Sequence, residues 1–280
     1  MKDKFSIALC QMKVVDDKEE NLLKAAAMIK RAAREGAEMV VLPEMFNCPY
    51  DTSKFKLYAE SRDNSTSLKT VSKSAAENDV FLIAGSIPEL SYEKLYNSSF
   101  IYNKKGVLLD VHRKLHLFDI DIPGEITFKE SETISAGDKV TVFDLNNMKI
   151  GVAICYDLRF PELFRLMALD GAGLMVIPGA FNPITGPAHW ETTLRARSID
   201  NQVYVAAASP ARNKDLSYQA YGHSMVVDPW GKVIASAGED EEIIHATIDG
   251  AYINKVRDEL PLLKNRRIDI YDLIEKKKTQ

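Results

Sequence analysis

The sequence predicts an α/β protein in which a mixed sheet system carries helices on its outside. Three observations lead there. A helix with one apolar face separates two short apolar runs near the start of the chain. The same arrangement of residues returns in the second half. Beyond these, apolar runs of strand length outnumber the helical stretches, so helices fill only some of the gaps between strands.

Residues 5–12 are short and apolar, as a buried strand is. Residues 18–35 carry Leu22, Ala26, Ile29 and Ala33 at helical spacing, with Lys24, Lys30, Arg31 and Arg34 between them. That pattern predicts an amphipathic helix. Gly36 ends it, and residues 39–42 follow as a buried strand closed by Pro43. The phrase then recurs. Lys4-Phe-Ser-Ile-Ala-Leu-Cys10 matches Lys149-Ile-Gly-Val-Ala-Ile-Cys155 at an offset of 145 residues. Gly36-Ala37 through Pro43 matches Gly171-Ala172 through Pro178 at an offset of 135, so the second helix is about ten residues shorter. We read an internal pseudo-repeat of a β-α-β unit. Strands are expected at 80–87, 98–102, 106–111, 139–145, 203–209, 224–228, 232–236 and 243–248. Residues 187–201 read as a helix, and Pro229-Trp230-Gly231 as a tight turn. The stretch from Ala251 begins helical, is broken by Pro261 and ends in the solvated run Lys276-Lys277-Lys278. No Gly-, Ser- or Pro-rich linker divides the chain. Residues 1–280 are therefore expected to form one domain, with 251–280 its C-terminal helix and tail.

Composition excludes several function classes. The chain has 46% hydrophobic and 27% charged residues, ordinary for a globular protein and too apolar for a disordered one. A net charge of −4 gives no electrostatic case for nucleic acid or an anionic membrane. Three cysteines are no disulfide framework, which fits a reducing, cytoplasmic setting. Met1-Lys2-Asp3-Lys4 precedes only a short apolar run, interrupted by Gln11, unlike a signal peptide. No apolar stretch approaches membrane-spanning length. There is no Gly-rich phosphate loop, so no nucleotide cofactor is expected. Gly222-His-Ser-Met-Val226 lacks the closing glycine of a serine elbow. His112 and His116 stand four apart but lack the intervening glutamate and neighbouring cysteine of a zinc site, so no metal is expected.

Cys155 is the most informative residue. It ends an apolar strand and precedes Tyr156-Asp-Leu-Arg-Phe-Pro-Glu162, whose Pro161 and Glu162 suit the first turn of a helix. Such an elbow brings backbone N–H groups to the sulfur, favouring thiolate and an oxyanion. The bland alternative is a small buried hydrophobe, and Cys10, at the matching strand position without an elbow, takes it. Cys48 falls in a loop and is assigned no chemistry. Glu44 follows the strand at 39–42, and Lys114 follows the strand at 106–111. Each alone reads as a solvated loop residue. Three unlike groups just beyond strand C-terminal ends are another matter, because α/β sites collect there.

Leu42-Pro-Glu-Met-Phe46, His112-Arg-Lys-Leu-His116 and Gly151-Val-Ala-Ile-Cys-Tyr-Asp-Leu-Arg-Phe-Pro-Glu162 resemble the three signature segments of the nitrilase superfamily, the carbon–nitrogen hydrolases with a Glu-Lys-Cys triad. The likeness extends through residues 178–191, 200–205 and 222–231, and so over nearly the whole chain. Within the superfamily, residues 43–50, 114–121 and the Gly179-Ala-Phe-Asn…Thr-Gly-Pro187 segment resemble the omega-amidase branch. The resemblance implies a four-layer αββα sandwich and an amide hydrolase without a cofactor. Its substrate would be a small 2-oxo acid amide, 2-oxoglutaramate or 2-oxosuccinamate, cleaved to ammonia and the dicarboxylate. It further implies Cys155 as nucleophile, Glu44 as general base and Lys114 as oxyanion partner. Glu130 would orient the lysine and the substrate, and the loop at 118–128 would act as a lid. Arg159 and Thr185 would hold the carboxylate, Phe181 would wall the pocket, and Tyr156 and Tyr50 would be further substrate contacts. For Arg159, the competing reading is an ion pair with Glu162, three residues on. His189, Trp190, Arg195 and Arg197 would belong to the scaffold. Homodimers or higher homo-oligomers are implied, with residues 266–273 crossing between subunits.

Three alternatives stand beside this reading. The same triad serves another amide, such as deaminated glutathione or an N-carbamoyl compound. His116 or His223 replaces Glu44 in a Cys-His hydrolase. Or the fold is an inactive binding scaffold, against which the joint presence of Cys155, Lys114 and Glu44 argues.

Overall fold

The structure is a computed structural model and describes residues 4–145 and 147–276. Met1–Asp3, and Lys277 and Lys278 of the terminal charged run, lie outside the described residues.

The chain opens with β1 (Lys4–Gln11), α1 (Lys18–Arg34) and β2 (Met39–Val41). Asp17 caps α1, its carboxylate accepting from the Glu20 N–H at 3.0 Å. The buried stripe of α1 runs through Leu22, Ala25, Met28, Ile29 and Ala32. It is rotated from the expected one: Ala26 and Ala33 sit at its edge, half-buried. Next come α2 (Thr52–Tyr58), β3 (Glu60–Ser61), α3 (Thr66–Glu77), β4 (Phe81–Ile83), β5 (Ile87–Ser91), β6 (Lys94–Tyr102) and β7 (Leu108–Arg113). The single strand expected at 80–87 is thus two, broken where Gly85 turns at φ +49. Residues 118–128, expected as a loop, instead form most of a hairpin of β8 (Asp119–Ile122) and β9 (Ile126–Lys129).

The second half contains β10 (Thr141–Leu145), β11 (Met148–Val152), α4 (Pro161–Leu169), β12 (Ala172–Pro178), α5 (Gly186–Asn201), β13 (Tyr204–Ala208), β14 (Met225–Val227) and β15 (Val233–Ser236). It ends with β16 (Glu242–Asp249) and α6 (Gly250–Glu259). Pro261 follows the end of α6, as expected. Both segments of the proposed repeat are β-α-β units with parallel strands, β1 beside β2 and β11 beside β12.

The strands make two main sheets. The first runs β16-β1-β2-β4-β6-β5-β3, with β7 also on β6, and the second β10-β11-β12-β13-β14-β15. β16 returns to pair antiparallel with the whole of β1, from Lys4↔Asp249 to Gln11↔Glu242. Three apolar layers fix the stacking. One lies between the first sheet and helices α1 and α3, through Ala25, Ile29, Val71, Val40 and Leu82. A second joins the sheets face to face, Ile7, Leu9, Val41 and Ile83 meeting Ile150, Val152, Leu174 and Val176. The third packs α4 and α5 on the second sheet, with Phe164, Met167, Trp190, Met175 and Val205. The result is the expected αββα sandwich. Alternate strand residues serve alternate layers, as a period of two requires: Ile7 and Leu9 face the other sheet, Ala8 and Cys10 the helices.

This topology sends two chain segments to one end of the first sheet. β1, β2 and β4 are parallel. β6 is antiparallel to β4, and β7 antiparallel to β6, so β7 again points the way of β2. The residues after β2 and β7, Glu44 and Lys114, therefore leave the sheet at the same end.

Candidate active site

Each central side chain is placed by its own local device. Glu44 stands in the turn after β2. Met45 there adopts φ +50, and its N–H donates to Ser86 Oγ at 3.0 Å. The Phe46 N–H reaches the Ser86 carbonyl, and the Ser86 N–H the Pro43 carbonyl. A Cβ on Gly85 would lie 2.0 Å from that Pro43 oxygen, so only glycine lets the two turns close on each other. Lys114 is tied through its backbone, its N–H donating to the Asn97 carbonyl at 2.9 Å and its carbonyl accepting from Gly137 at 2.8 Å.

Cys155 follows β11 at φ +45, a left-handed conformation that costs a non-glycine residue about 1–2 kcal/mol. Asp157 holds it there. Its carboxylate accepts from the Ile154 N–H at 2.9 Å, so the turn at Cys155 is bridged by one side chain. The same carboxylate accepts from the His116 N–H at 2.9 Å and meets the rings of His116 at 2.7 Å and His112 at 3.2 Å. Burial opposes ionisation of Asp157, but the hydrogen bonds of His112 and His116 outweigh it and hold the carboxyl well below its ordinary range. Both histidines thus clamp the cysteine turn to the lysine segment. Among the described residues, no three His, Cys, Asp or Glu side chains are grouped to hold a metal ion. The sequence places the first helical turn at Pro161 and Glu162, where α4 begins; a short 3₁₀ turn, Cys155–Arg159, fills the elbow before it.

Glu44, Lys114, Glu130 and Cys155 meet in one buried cluster, none more than 3% exposed. Lys114 Nζ lies 3.0 Å from Glu44 Oε1, 2.8 Å from Glu130 Oε2 and 3.0 Å from the Tyr50 hydroxyl. Burial alone would lower the Lys114 ammonium, but the charges of Glu130 and Glu44 outweigh it and raise it above the ordinary lysine range. Glu130 sits at the foot of the β8–β9 hairpin, where the Phe118 N–H donates to its Oε2 at 2.7 Å. Asn97 donates from Nδ2 to both carboxylates, 2.8 Å to Glu44 and 3.1 Å to Glu130. Glu44 Oε2 is buried and takes none of these bonds, and the Cys155 thiol hydrogen-bonds the Glu44 carboxylate.

The thiol faces this cluster and accepts from the Ala180 N–H at 3.4 Å. Its ionisation runs against the sequence expectation. Burial, then the charge of Glu44, push Cys155 well above the ordinary thiol value, more than Lys114 and the Ala180 N–H lower it. Glu44 is also raised, chiefly by burial and by Glu130, against the pull of Lys114. The resting sulfur therefore keeps its proton, beside a carboxylate made more basic by its surroundings. No histidine acts on it: His116 turns to Asp157 and stacks on Phe160, and the His223 ring packs on Tyr221. Cys10 is a buried core thiol, raised by burial to about 12.

The expected substrate contacts divide. Arg159 lies over the Phe181 ring at 4.7 Å and near Tyr156 at 5.7 Å, the residues next to Ala180 and Cys155. Its hydrogen-bond partner is a ring nitrogen, His189 Nδ1 at 3.0 Å. The pair with Glu162 is not formed, and among the described residues Arg159 has no carboxylate partner. Tyr50 belongs with Lys114 and stacks on Phe128 at 5.3 Å. Thr185 is buried and bonded to Asn182 Oδ1 at 3.2 Å. A small recess lies beside Glu44 and Tyr50, lined also by Cys48, Ala180 and Tyr218. The Tyr218 hydroxyl donates to the Ala180 carbonyl at 2.6 Å, tying down the residue whose N–H faces the sulfur. Asn97, Asp157 and Tyr218 escaped sequence reasoning. Only Asp157 carried a signal, its place two residues after the cysteine.

The chain matches a family model described as carbon–nitrogen hydrolase over residues 6–258. It is 52% identical over 274 residues to the omega-amidase NIT2 of Xenopus tropicalis, covering 98% of this chain and 99% of that protein. It is 50% identical over 279 residues to the omega-amidase NIT3 of Saccharomyces cerevisiae, covering 97% and 96%. Among solved structures it is similar to Saccharomyces cerevisiae Nit3, a member of branch 10 of the nitrilase superfamily, with a TM-score of 0.87 at 48% identity, covering 94% and 97% of the two chains.

Proposed function

The chain belongs to the carbon–nitrogen hydrolase family and is an amidohydrolase, and from that premise we propose that it cleaves the distal amide of 2-oxoglutaramate and 2-oxosuccinamate through a Cys155 thioester. The observation that carries the substrate class is Arg159: a half-buried guanidinium beside the nucleophile turn with no carboxylate of its own. Its planar fork suits a substrate carboxylate. Full-length identity of about half to omega-amidases supports the same reading.

In this mechanism the Cys155 sulfur attacks the amide carbon while Glu44 takes the thiol proton. An S–C bond forms, and the carbonyl π electrons move to oxygen. Lys114 and the Tyr156 N–H, at the open start of its turn, stabilise that oxyanion. The C–N bond then breaks, Glu44 returning its proton to the departing NH₂ group to make ammonia. Water attacks the thioester, Glu44 taking its proton. The C–S bond breaks, the thiol is restored, and the dicarboxylate leaves. A raised Glu44 suits a group that must accept and give back a proton in each half-reaction. Glu130 and Tyr50 hold the Lys114 ammonium, and Thr185 is a second donor to the substrate carboxylate, on release from Asn182. Phe181 and Tyr156 wall the acyl chain, and the β8–β9 hairpin covers the site. We also propose that residues 1–280 form one domain, that the protein is cytoplasmic, and that it assembles as a homodimer or higher homo-oligomer. No described helix is long and apolar enough to cross a membrane.

Arg159→Met tests the substrate assignment. Loss of a charge-assisted pair worth about 1.5–3 kcal/mol should raise KM for 2-oxoglutaramate about 10- to 100-fold. KM for a neutral amide such as propionamide should move less than about threefold, the same charge-assisted pair being absent there. Equal effects on both substrates would contradict it and favour another amide.

A further inference from the structure

We propose that Asn97 is a positioning residue of the catalytic centre, whose amide bridges Glu44 to Glu130 and so turns the Glu44 carboxyl with Oε1 on Lys114 and Oε2 free for the reaction. The inference rests on the reading of Glu44 as the base.

Asn97 lies within β6, fully buried, at a place where a strand residue would ordinarily be apolar. Its Nδ2 has two hydrogens and two carboxylate acceptors, Glu44 Oε1 at 2.8 Å and Glu130 Oε1 at 3.1 Å. The orientation of the amide is fixed by that pairing, since Oδ1 has no hydrogen to offer a carboxylate. Oδ1 itself is buried without a partner. The polar contacts of the side chain are thus made through its nitrogen. The backbone adds a second tie, the Asn97 carbonyl accepting from the Lys114 N–H at 2.9 Å. One residue thus sets the lysine's position through its main chain and both carboxylates' rotation through its side chain.

The arrangement solves a physical problem. Lys114 brings two carboxylates into one water-poor cluster, where they repel. Lys114 neutralises one face of the pair; a neutral donor between the carboxylates relieves the rest without adding a charge that would compete for the Glu44 proton. Because Asn97 and Lys114 both occupy Oε1, the other oxygen of Glu44 takes neither bond and stays available to the Cys155 thiol, which hydrogen-bonds the Glu44 carboxylate. A base must turn such an oxygen toward the proton it accepts.

The test compares wild type with Asn97→Leu and the near-isosteric Asn97→Asp, following amide hydrolysis across pH together with thermal melting. Removing the donor in Asn97→Leu withdraws a bond that favours charged Glu44. The acid limb of kcat/KM should therefore move to higher pH, with kcat down at least about tenfold and KM within about threefold. Asn97→Asp should behave oppositely. When protonated at low pH it can still donate one hydrogen; once ionised it repels both carboxylates. Its activity should therefore fall as pH rises through the range where wild type is at its plateau. A wild-type pH profile in both variants, or in Asn97→Asp alone should Asn97→Leu fail to fold, would overturn the proposal. Glu44→Gln and Cys155→Ala run alongside separate the two layers. Should either keep full activity, the reading of the site fails; should both be dead while the Asn97 variants titrate as wild type, only the role of Asn97 fails.

Discussion

Asp157 shows how one buried carboxylate can hold a strained cysteine turn. It accepts from the backbone before Cys155 and from the backbone and ring of His116. The left-handed turn is therefore held by hydrogen bonds made to a charge, roughly twice as strong as neutral ones. Asp157→Asn keeps the shape but loses the charge and one acceptor, and should cost about 2–4 kcal/mol. The pH dependence has a definite sign. A carboxyl held below its unfolded value stabilises the fold above about pH 4, and that stabilisation is lost as pH falls toward the folded value. Melting curves of wild type and Asp157→Asn should therefore differ most near neutrality and converge below about pH 4. A difference that is unchanged from pH 7 to pH 3 would contradict the charge-based account. Glu44 has the opposite sign, raised chiefly by burial. It is an unfavourable group at neutral pH, as catalytic groups often are.

At the scale of elements, what the sequence revealed depends on how local the cause is. β1, α1 and β2 were legible because apolar spacing and a glycine stop lie within the elements themselves. Cys155 was legible as a strand end, Glu44 and Lys114 only as loop residues after strands. Nothing in the spacing could show that β7 is turned twice, through β6 and β4, to point the way of β2. The β8–β9 hairpin was missed because Asp119, Asp121, Pro123 and Gly124 read as a loop, although Asp and Ile alternate along β8 and the pairing is closed by Phe118 and Glu130 at the base. The hairpin carries Phe128 onto Tyr50, and Tyr50 onto Lys114, a chain no periodicity contains. Asn97 was invisible for a similar reason. It precedes the strand expected at 98–102, and its partners lie 53 and 33 residues away. The thiol's direction of shift was misjudged because elbow geometry is local, whereas burial by the second sheet layer is not.

The whole molecule brings two sheets together so that groups from each converge at one end. Glu44 and Lys114 leave the first sheet, Cys155 the second, and neither sheet alone would hold the proposed nucleophile and its base. The described chain also leaves apolar side chains uncovered near its end, with Ile268, Ile270, Tyr271 and Ile274 57–73% exposed. Association of subunits through this segment would bury them. Light scattering should give a mass of at least two chains for the full protein, and a lower mass for a version ended after Leu260. A full-length monomer at micromolar concentration would contradict the assembly. The central claim is that Cys155, served by Glu44 and Lys114, hydrolyses a 2-oxo acid amide. Its most direct test is ammonia release from 2-oxoglutaramate by the purified protein, with Cys155→Ala as the blank. The account predicts steady release by wild type and a loss of at least about a thousandfold in the folded variant, of the order seen when an enzyme nucleophile is removed. Release that persists in Cys155→Ala, or its absence from wild type, would contradict it.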